Sequence, residues 1–501
     1  MSNVLAIDQG TSGTKAVVVC PERGVIASAT VDLRPRYGPA GEVEQDPQAL
    51  LDSVLDAGRR ALAAAGEPVI AVGLANQGET VLAWDPRTGT PLTPAIGWQD
   101  RRAAVICHEL ADDAGWLTDL TGLPLDPYFA APKLAWLRRT LTRAGVVTTS
   151  DAWLVHRLTG QFVTDASTAS RTGLLDLDRT EWSPRAAQAY GLADERLPAV
   201  VDCAGRFGET TAFGPAAHGG SGPAGSGPAL PLTGLVVDQQ AALLAQRCLT
   251  AGAAKCTYGT GAFLLAQVGG RQPDPHAEAG HPGRAVRSAH GLPTSVAWRL
   301  AGVSSYCLDG QVYTVASAVR WLVDLGVLPA ATDLDRVAEA VPDAGGVVLV
   351  PALAGLAAPH WAAGARGAIL GAQLGTTAGH LARALVDGIA GQVVDLATAV
   401  AGDLGAPLTA LRVDGGLTRS RVLMQTQADL LQLPVEVYAS ADATALGAAA
   451  LARVGATPGL ALADAIPTRT PAARYEPAIS VDQAAARLER LAAAVAVSQR
   501  W

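Results

Sequence analysis

Apolar and polar residues along this chain follow two periods, and each half of the chain opens on the shorter one. Residues 4–20 place apolar, β-branched runs on both sides of the glycine-rich segment DQGTSGT. That pattern predicts a strand, a tight turn and a second strand. Residues 253–268 repeat it around YGTGAF. We therefore expect a duplicated α/β architecture, with a cleft between two halves that each open on a β-hairpin.

After each hairpin, apolar residues recur at spacings of three and four, which predicts helices. In the first half we predict strands at 25–31, 68–77, 80–84 and 91–98, and helices at 47–65, 99–120, 129–143, 151–158 and 184–191. In the second half we predict helices at 310–325, 377–403, 419–431, 444–454 and 480–498, and strands at 347–353 and 411–416. Residues 214–233 are rich in glycine, proline and alanine, so we predict a surface loop there.

The length of the chain, 501 residues, is too great for one hydrophobic core and predicts two domains. We place these domains at 1–248 and 249–501, so that each contains one of the two hairpins. Hydrophobic residues make up 49% of the chain and charged residues 17%. That balance is typical of a folded enzyme with large buried elements and excludes a disordered protein.

The net charge of −8 argues against nucleic acid or an anionic membrane as the main partner. The first residues, MSNVLAIDQG, lack the basic region and apolar run of a secretion signal. Six cysteines are scattered along the chain with no CxxC pair, which is typical of free thiols in a reducing compartment. We therefore expect a cytoplasmic protein that binds small molecules, and the sequence leaves a homo-oligomer open.

Asp238 lies in the segment GLVVDQQAALLAQ (234–246), where an apolar strand ends and a helix is expected to begin. A carboxylate held at such a junction is well placed to take a proton from a substrate hydroxyl. The same position also suits an aspartate that only caps the helix. Asp238 is therefore a candidate general base whose role depends on its neighbours.

The segment DQGTSGT has the features of a phosphate-binding turn. Its glycines allow a tight turn that brings backbone N–H groups to phosphate oxygens, and Thr11, Ser12 and Lys15 add hydroxyl groups and a cation. Asp8, at the strand end, suits Mg²⁺ bound directly or through water. A plain hairpin with a polar tip would look the same in the sequence. Two further turns, YGTGAF (258–263) and VDGGLTRS (413–420), make phosphoryl transfer from a nucleotide to an alcohol the better interpretation.

In this order, the motifs resemble the FGGY family of carbohydrate kinases, and within it the glycerol kinases most closely. The resemblance extends from about residue 4 to about residue 455. It rests on ordered blocks that include AIDQGTSGTKA (6–16), NQGETVLAWDPRTGTPLTPAIGWQDRR (76–102), DPYFAAPKLAWL (126–137), VTDASTASRTGLLDL (163–177), VDQQAALLAQ (237–246), KCTYGTGAFLL (255–265) and DGGLTRSRVLMQTQADLL (414–431).

The resemblance implies two ribonuclease-H-like domains that close on ATP, as in actin, hexokinase and the ATPase domain of heat-shock chaperones. It places the catalytic base on Asp238 and the magnesium-associated carboxylate on Asp8. It places ATP contacts on Thr11, Ser12, Gly13, Lys15, Gly259, Thr260, Arg320, Gly416 and Ser420, and polyol contacts on Gly78, Glu79, Trp98, Tyr128, Asp238, Gln239 and Phe263. Lys15, Arg320 and Ser420 depart from the Arg, Gln and Asn that are usual there.

The departure with the largest consequence is Gly78. Glycerol kinases have N-Q-R-E-T where this chain has NQGET (76–80), and the family's arginine donates to a terminal hydroxyl of glycerol. Its loss would open space for a four- or five-carbon polyol or ketose, such as erythritol, threitol, xylitol, ribulose or xylulose. An arginine from another segment could take this place, and Arg101 and Arg102 are the nearest in sequence.

The sequence thus predicts ATP- and Mg²⁺-dependent phosphorylation of a hydroxyl group of a small polyol or sugar. A catalytically silent, ATP-binding sugar sensor on the same scaffold is the alternative from another functional class. Such a sensor would have lost Asp238 or one of the phosphate turns, and this chain retains all of them. A chaperone ATPase would require a client-binding domain after the second half, for which no segment is left.

Overall fold

The computed structural model describes residues 2–39, 41–214, 228–272, 283–438, 442–468 and 470–500. Strands of the first half are β1 (Asn3–Gln9), β2 (Gly13–Cys20), β3 (Gly24–Asp32), β4 (Arg36–Tyr37), β5 (Val43–Gln45), β6 (Val69–Asn76), β7 (Val81–Trp84), β8 (Ala95–Ile96), β9 (Val146–Thr149), β10 (Val163–Asp165), β11 (Leu175–Asp176), β12 (Glu181–Trp182), β13 (Ala199–Val201), β14 (Glu209–Thr210) and β15 (Leu230–Val237). Its helices are α1 (Pro47–Ala65), α2 (Ala104–Glu109), α3 (Ala114–Thr121), α4 (Ala130–Thr140), α5 (Ser150–Thr159), α6 (Ala166–Ser170), α7 (Pro184–Ala189) and α8 (Asp238–Ala245).

The second half repeats the alternation of strands and helices. Its strands are β16 (Ala254–Tyr258), β17 (Ala262–Gly269), β18 (Thr294–Leu300), β19 (Val303–Val312), β20 (Val348–Val350), β21 (Ala368–Leu370), β22 (Leu411–Asp414), β23 (Val435–Val437) and β24 (Ala473–Tyr475). Its helices are α9 (Ala316–Asp324), α10 (Leu334–Ala338), α11 (Ala378–Leu404), α12 (Arg421–Leu431), α13 (Ala443–Ala456), α14 (Leu462–Ala465) and α15 (Val481–Ser498).

Each half contains a mixed sheet with the same core order. In the first sheet, β14-β15-β6-β1-β2-β3, the hairpin β1–β2 is antiparallel, whereas β6 and β15 run parallel to β1. In the second sheet, β18-β19-β17-β16-β22-β23-β24, the hairpin β16–β17 is antiparallel and β22 and β23 run parallel to β16. The predicted hairpins and the predicted duplication are therefore confirmed.

Helix α13 comes from the second half of the chain but packs on the first sheet. A Cβ at Gly73 in β6 would lie 2.4 Å from the carbonyl oxygen of Ala448, and one at Gly234 in β15 would lie 2.5 Å from the backbone nitrogen of Ala452. Only glycine permits such a close approach of helix and sheet. The small-residue helix expected at 444–454 therefore joins the two halves.

Several sequence-based predictions are wrong in part. Of the strand expected at 91–98, only Ala95–Ile96 form β8. Residues 99–120 form α2, a short 3₁₀ turn and α3 rather than one helix. The first of these helices begins only at residue 104, since the Asp100 carboxylate accepts from the backbone N–H groups of Val43 and Arg102 and holds that segment in a turn. The helix expected at 310–325 begins only at residue 316, since β19 continues to Val312. Of the loop expected at 214–233, residues 230–233 belong to β15, and residues 215–227 lie outside the described residues.

Helix α11 is the only helix among the described residues with the length and apolar composition that a membrane span requires. In this protein, 72% of its most apolar window is buried against other elements. Burial of that extent is typical of a core helix.

Candidate active site

Two carboxylates lie at the same edge of the first sheet. Asp8 is in β1 and Asp238 directly follows β15, and both strands run parallel to β6, which lies between them. The carboxyl ends of parallel strands share one edge, where α/β proteins bind their ligands. The fold therefore brings together the two acidic residues to which the sequence assigned a role in catalysis.

Asp238 has the basicity that a general base requires. It begins α8, and its carboxylate accepts a hydrogen bond from the backbone N–H of Gln239 at 2.6 Å. Burial and the charge of Glu79 raise the pKa of Asp238 to about 6. A carboxylate with that pKa is largely ionised at neutral pH, yet it takes up a proton more readily than an exposed aspartate does.

Asp8 lies close enough to Asp238 to be affected by its charge. Burial, and then the charge of Asp238, raise the pKa of Asp8 to about 7, and Lys15 acts against this shift. Lys15 also forms an ion pair with Asp442 at the start of α13. Two desolvated carboxylates disfavour each other's charged form, and a divalent cation relieves that repulsion.

The oxygen donors at this edge fit Mg²⁺. Within the residues that the structure describes, no cluster of three or more His, Cys, Asp or Glu side chains could hold a metal ion. An ion here would therefore depend on one or two carboxylates together with water and phosphate oxygens, which is how Mg²⁺ commonly binds with nucleotides.

Each glycine turn is closed by a backbone hydrogen bond of its own. The N–H of Gly10 donates to the carbonyl of Gly13 at 3.0 Å, and the N–H of Gly259 donates to the carbonyl of Gly261 at 2.8 Å. Inside the turns are three backbone N–H groups that donate to no described residue, those of Thr11, Ser12 and Thr260. Both turns can therefore offer amides to an anion.

A cavity, here called the central cavity, lies between the two halves. Five of the residues predicted to contact a polyol line it: Glu79, Tyr128, Asp238, Gln239 and Phe263. Trp98 packs edge-on against two of them, with ring centroids 5.5 Å from Tyr128 and 6.3 Å from Phe263. The cavity volume is about 20 Å³, room for about one water molecule, so a polyol enters only when the lining residues separate.

Trp98 also connects the central cavity to the first glycine turn. Its Nε1–H donates to the hydroxyl of Thr11 at 2.8 Å. Across the cavity, Lys255 of β16 donates from Nζ to the side-chain oxygen of Gln239 at 2.6 Å. Hydrogen bonds therefore connect the first glycine turn to the central cavity, which residues of both halves line.

Gly78 does not open space beside the central cavity. A Cβ at this position would lie 2.7 Å from Cγ2 of Val237, so the valine methyl already fills this corner. The expectation that the missing side chain leaves room for a longer polyol is therefore wrong.

A different arginine, Arg171, lies at the central cavity. It directly follows α6. Its Nε–H donates to Oε1 of Glu79 at 2.7 Å, and its Nη1 pairs with Asp309 of β19. The side chain is 5% exposed and lines the central cavity. Sequence reasoning missed this residue, although the block VTDASTASRTGLLDL contains it, because only the fold brings it to Glu79.

The two arginines proposed for this place from the sequence are used elsewhere. Arg101 pairs with Asp126 at 3.2 Å, and Arg102 pairs with Asp100 at 2.6 Å and with Glu44 at 2.9 Å. Neither arginine lines the central cavity. The arginine that does line the cavity is Arg171.

Lys133 is a second residue that sequence reasoning missed, and it supports Tyr128. This fully buried lysine of α4 donates from Nζ to the carbonyls of Pro127 at 2.9 Å, Phe129 at 2.8 Å and Tyr128. Burial lowers the pKa of Lys133 to about 7. These hydrogen bonds hold in place the loop that presents Tyr128 to the central cavity.

A larger cavity of about 560 Å³ lies next to the central cavity and shares Gln239 with it. Gly416 lines it, together with Thr257, Asp414 and Tyr438. Its size and its position at the glycine turn that follows β22 suit a nucleotide.

Of the residues predicted to contact ATP, only Gly416 lines that cavity. Ser420 and Arg320 also lie outside the two glycine turns. Ser420 is the N-cap of α12, where its hydroxyl donates to Asp335 and accepts from the N–H of Leu423 at 3.1 Å. Arg320 is an exposed residue of α9. A nucleotide contact for either residue stays a prediction.

Comparisons with known proteins agree with this geometry. The sequence model of the N-terminal domain of the FGGY family of carbohydrate kinases matches residues 3–245, and that of the family's C-terminal domain matches residues 254–456. The glycerol kinase of Gloeobacter violaceus is 41% identical over 461 residues, which cover 90% of this chain and 88% of that protein.

Solved structures show the same fold. The glycerol kinase of Plasmodium falciparum with ADP has a TM-score of 0.88 at 27% identity and covers 99% of this chain and 98% of its own. A xylulose kinase from Rhodospirillum rubrum has a TM-score of 0.82 at 25% identity, with the same coverage. The expected two-domain fold with an ATP cleft is therefore confirmed.

Proposed function

The chain belongs to the FGGY family of carbohydrate kinases, and on that premise we propose that it transfers the γ-phosphoryl group of ATP to a hydroxyl of glycerol or of a polyol of similar size. The observation that carries the proposal is the position of Asp238. It is a buried carboxylate of raised pKa in a cavity lined by both halves, beside Asp8 and the first glycine turn.

In the proposed mechanism, Asp238 accepts the proton of the substrate hydroxyl as its oxygen attacks the γ-phosphorus. ATP phosphates are held by the turns, through Thr11, Ser12, Gly13, Lys15, Gly259 and Thr260, and the nucleoside lies against Gly416. Mg²⁺, held by Asp8 directly or through water, would offset the charge of the phosphate oxygens. Most of the rate enhancement then comes from positioning of the two substrates and from electrostatic stabilisation of the transition state.

The polyol is held by side chains from both halves. Glu79 accepts from a hydroxyl, and Trp98, Tyr128 and Phe263 enclose the carbon chain. Arg171 uses Nε for Glu79 and one Nη1 hydrogen for Asp309, which leaves guanidinium hydrogens for a terminal hydroxyl.

Two observations favour glycerol over a longer substrate. Val237 fills the corner beside Gly78, and the guanidinium group of Arg171 supplies a cation at the cavity wall. The similarity to the glycerol kinase of Gloeobacter violaceus points the same way. A four- or five-carbon polyol or ketose remains the alternative substrate, and ADP release over three- to six-carbon polyols and ketoses decides between them. A longer substrate with kcat/KM above that of glycerol would overturn the preference for glycerol.

The domain division at 248/249 belongs to this proposal. Residues 1–248 contribute Asp238 and most polyol contacts, and residues 249–501 contribute the second glycine turn and most of the nucleotide cavity. Helix α13 is the exception, since it packs on the first sheet. The cytoplasmic location and the oligomeric state stay predictions.

We expect kcat/KM for the polyol to fall as the pH drops through about 6. Asp238 must be ionised to accept a proton, and its pKa is raised to about 6 by burial and by the charge of Glu79. The pH profile of kcat/KM at saturating ATP and Mg²⁺ measures this. Because ATP also titrates near this pH, Glu79→Gln is the control: loss of the Glu79 charge moves the acid limb to lower pH if Asp238 is responsible. An unmoved limb would remove Asp238 from that titration and assign it to ATP or to Asp8, whose pKa is raised to about 7.

Gly78→Arg alone should weaken glycerol binding, since the new side chain collides with Val237. The double variant Gly78→Arg/Val237→Gly should recover binding relative to the single variant, because it clears the corner. Glycerol KM for both variants and for Val237→Gly alone tests this. Tighter glycerol binding by Gly78→Arg alone would show that the corner is open after all.

A further inference from the structure

A second polar cavity lies in the second half, away from the proposed active site. Helices α11 and α15 and the segment before β20 form its walls, and its volume is about 260 Å³. Its lining includes Asp343, Arg383, Asp387, Arg487 and Arg490. None of these residues lines the central cavity or the nucleotide cavity. We call it the arginine cavity.

The charges that line the arginine cavity do not pair with one another. Among the described residues, the side chains of Asp387, Arg487 and Arg490 make no hydrogen bond or ion pair. Arg383 uses only Nε, which donates to the carbonyl of Ala338 at 2.9 Å. Arginines of a folded protein that face a carboxylate across a cavity without reaching it leave room for a bridging molecule.

The groups in the arginine cavity define the chemistry of such a molecule. Three guanidinium groups outnumber two carboxylates, although the whole chain has a net charge of −8. Planar guanidinium forks match phosphate oxygens, which accept two parallel hydrogen bonds. Asp387 adds an acceptor, and burial raises its pKa to about 6 although the three arginines act against that shift. An anion that also carries hydroxyl groups would satisfy both kinds of side chain.

We propose that the arginine cavity binds a small phosphomonoester that also carries hydroxyl groups. The phosphoryl oxygens accept from Arg487 and Arg490, with Arg383 as a third donor, and a hydroxyl group donates to Asp387. Residues of α11 and α15 would then be bridged by the ligand. The site is separate from the catalytic one, so the proposal does not depend on the kinase activity.

Calorimetry with glucose 6-phosphate, inorganic phosphate and glucose as probes tests the proposal. Glycerol and a non-hydrolysable ATP analogue with Mg²⁺ are present at saturation, so that the active site is blocked. We expect saturable binding of glucose 6-phosphate, weaker binding of phosphate and none of glucose. The absence of saturable glucose 6-phosphate binding would overturn the proposal. Equal affinity for phosphate would overturn the role of Asp387.

Variants locate the binding. The double variant Arg487→Gln/Arg490→Gln should lower the affinity for glucose 6-phosphate by about tenfold or more, as expected when charge-assisted hydrogen bonds are lost. Arg143→Gln/Arg179→Gln removes the same charge from exposed positions and should leave binding unchanged. Asp387→Ala should keep phosphate binding and remove the advantage of glucose 6-phosphate. Each arginine substitution is also made singly. The unfolding temperature of each variant without ligand shows whether that variant is folded. Wild-type affinity in the folded arginine variants would overturn the proposal.

Discussion

Asp238→Asn should reduce kcat by about 10²–10⁴-fold, which is the usual cost of losing a general base. The amide has the shape of the carboxylate but cannot accept the proton of the substrate hydroxyl. ATP binding should be retained, since the glycine turns that hold the phosphates are unchanged. Steady-state turnover and calorimetry with an ATP analogue measure the two effects separately.

Asp151→Asn is the matched control for this prediction. Asp151 is also a buried aspartate of the first half, its pKa is also raised to about 6, and it accepts from the hydroxyl of Thr164 at 2.6 Å. It lines neither the central nor the nucleotide cavity. Asp151→Asn should therefore be less stable than wild type but have the same kcat. A kcat of Asp238→Asn within about threefold of wild type would remove Asp238 from catalysis.

Arg171→Lys should raise the KM for glycerol by about ten- to a hundredfold. Lysine keeps the charge but lacks the planar fork that reaches Glu79, Asp309 and a substrate hydroxyl together. A charge-assisted hydrogen bond of this class is worth about 1.5–3 kcal/mol. Arg171→Met should in addition lower the free energy of unfolding by about 3–5 kcal/mol, because two buried carboxylates lose their partner.

Arg138 offers the matched control for Arg171. It is also a largely buried arginine of the first half, and it pairs with Glu195 through Nε at 2.5 Å and Nη2 at 2.7 Å. Arg138→Lys should reduce stability without changing the KM for glycerol. If Arg171→Lys leaves that KM within about twofold of wild type, Arg171 is a structural residue and does not select the substrate.

The parts of the site that depend on short stretches of chain could be predicted from the sequence. The hairpins around Gly10 and Gly259 follow from glycine flanked by β-branched strands. The positions of Asp8 and Asp238 follow from strand ends that share a sheet edge. In each case, the residues that determine the geometry are close neighbours in the sequence.

The parts that depend on distant contacts could not be predicted. Arg171 meets Glu79 across 92 residues and Asp309 across 138 residues, and no local pattern encodes such a meeting. The consequence of Gly78 was misjudged because a methyl of Val237, on another strand, fills the space beside it. Helix α13 was recognised from its small residues, but its partner, the first sheet, became apparent only in the fold.

Transfer of a phosphoryl group from ATP to a polyol, with Asp238 as the base, would leave an identifiable product. Phosphorus NMR of a reaction with ATP, Mg²⁺ and glycerol tests it most directly, because it identifies the acceptor of the phosphate. We expect a phosphomonoester of glycerol to form together with ADP in the wild-type enzyme and not in Asp238→Asn. Release of ADP with inorganic phosphate alone, or no turnover of ATP with glycerol or any other polyol or ketose, would contradict it.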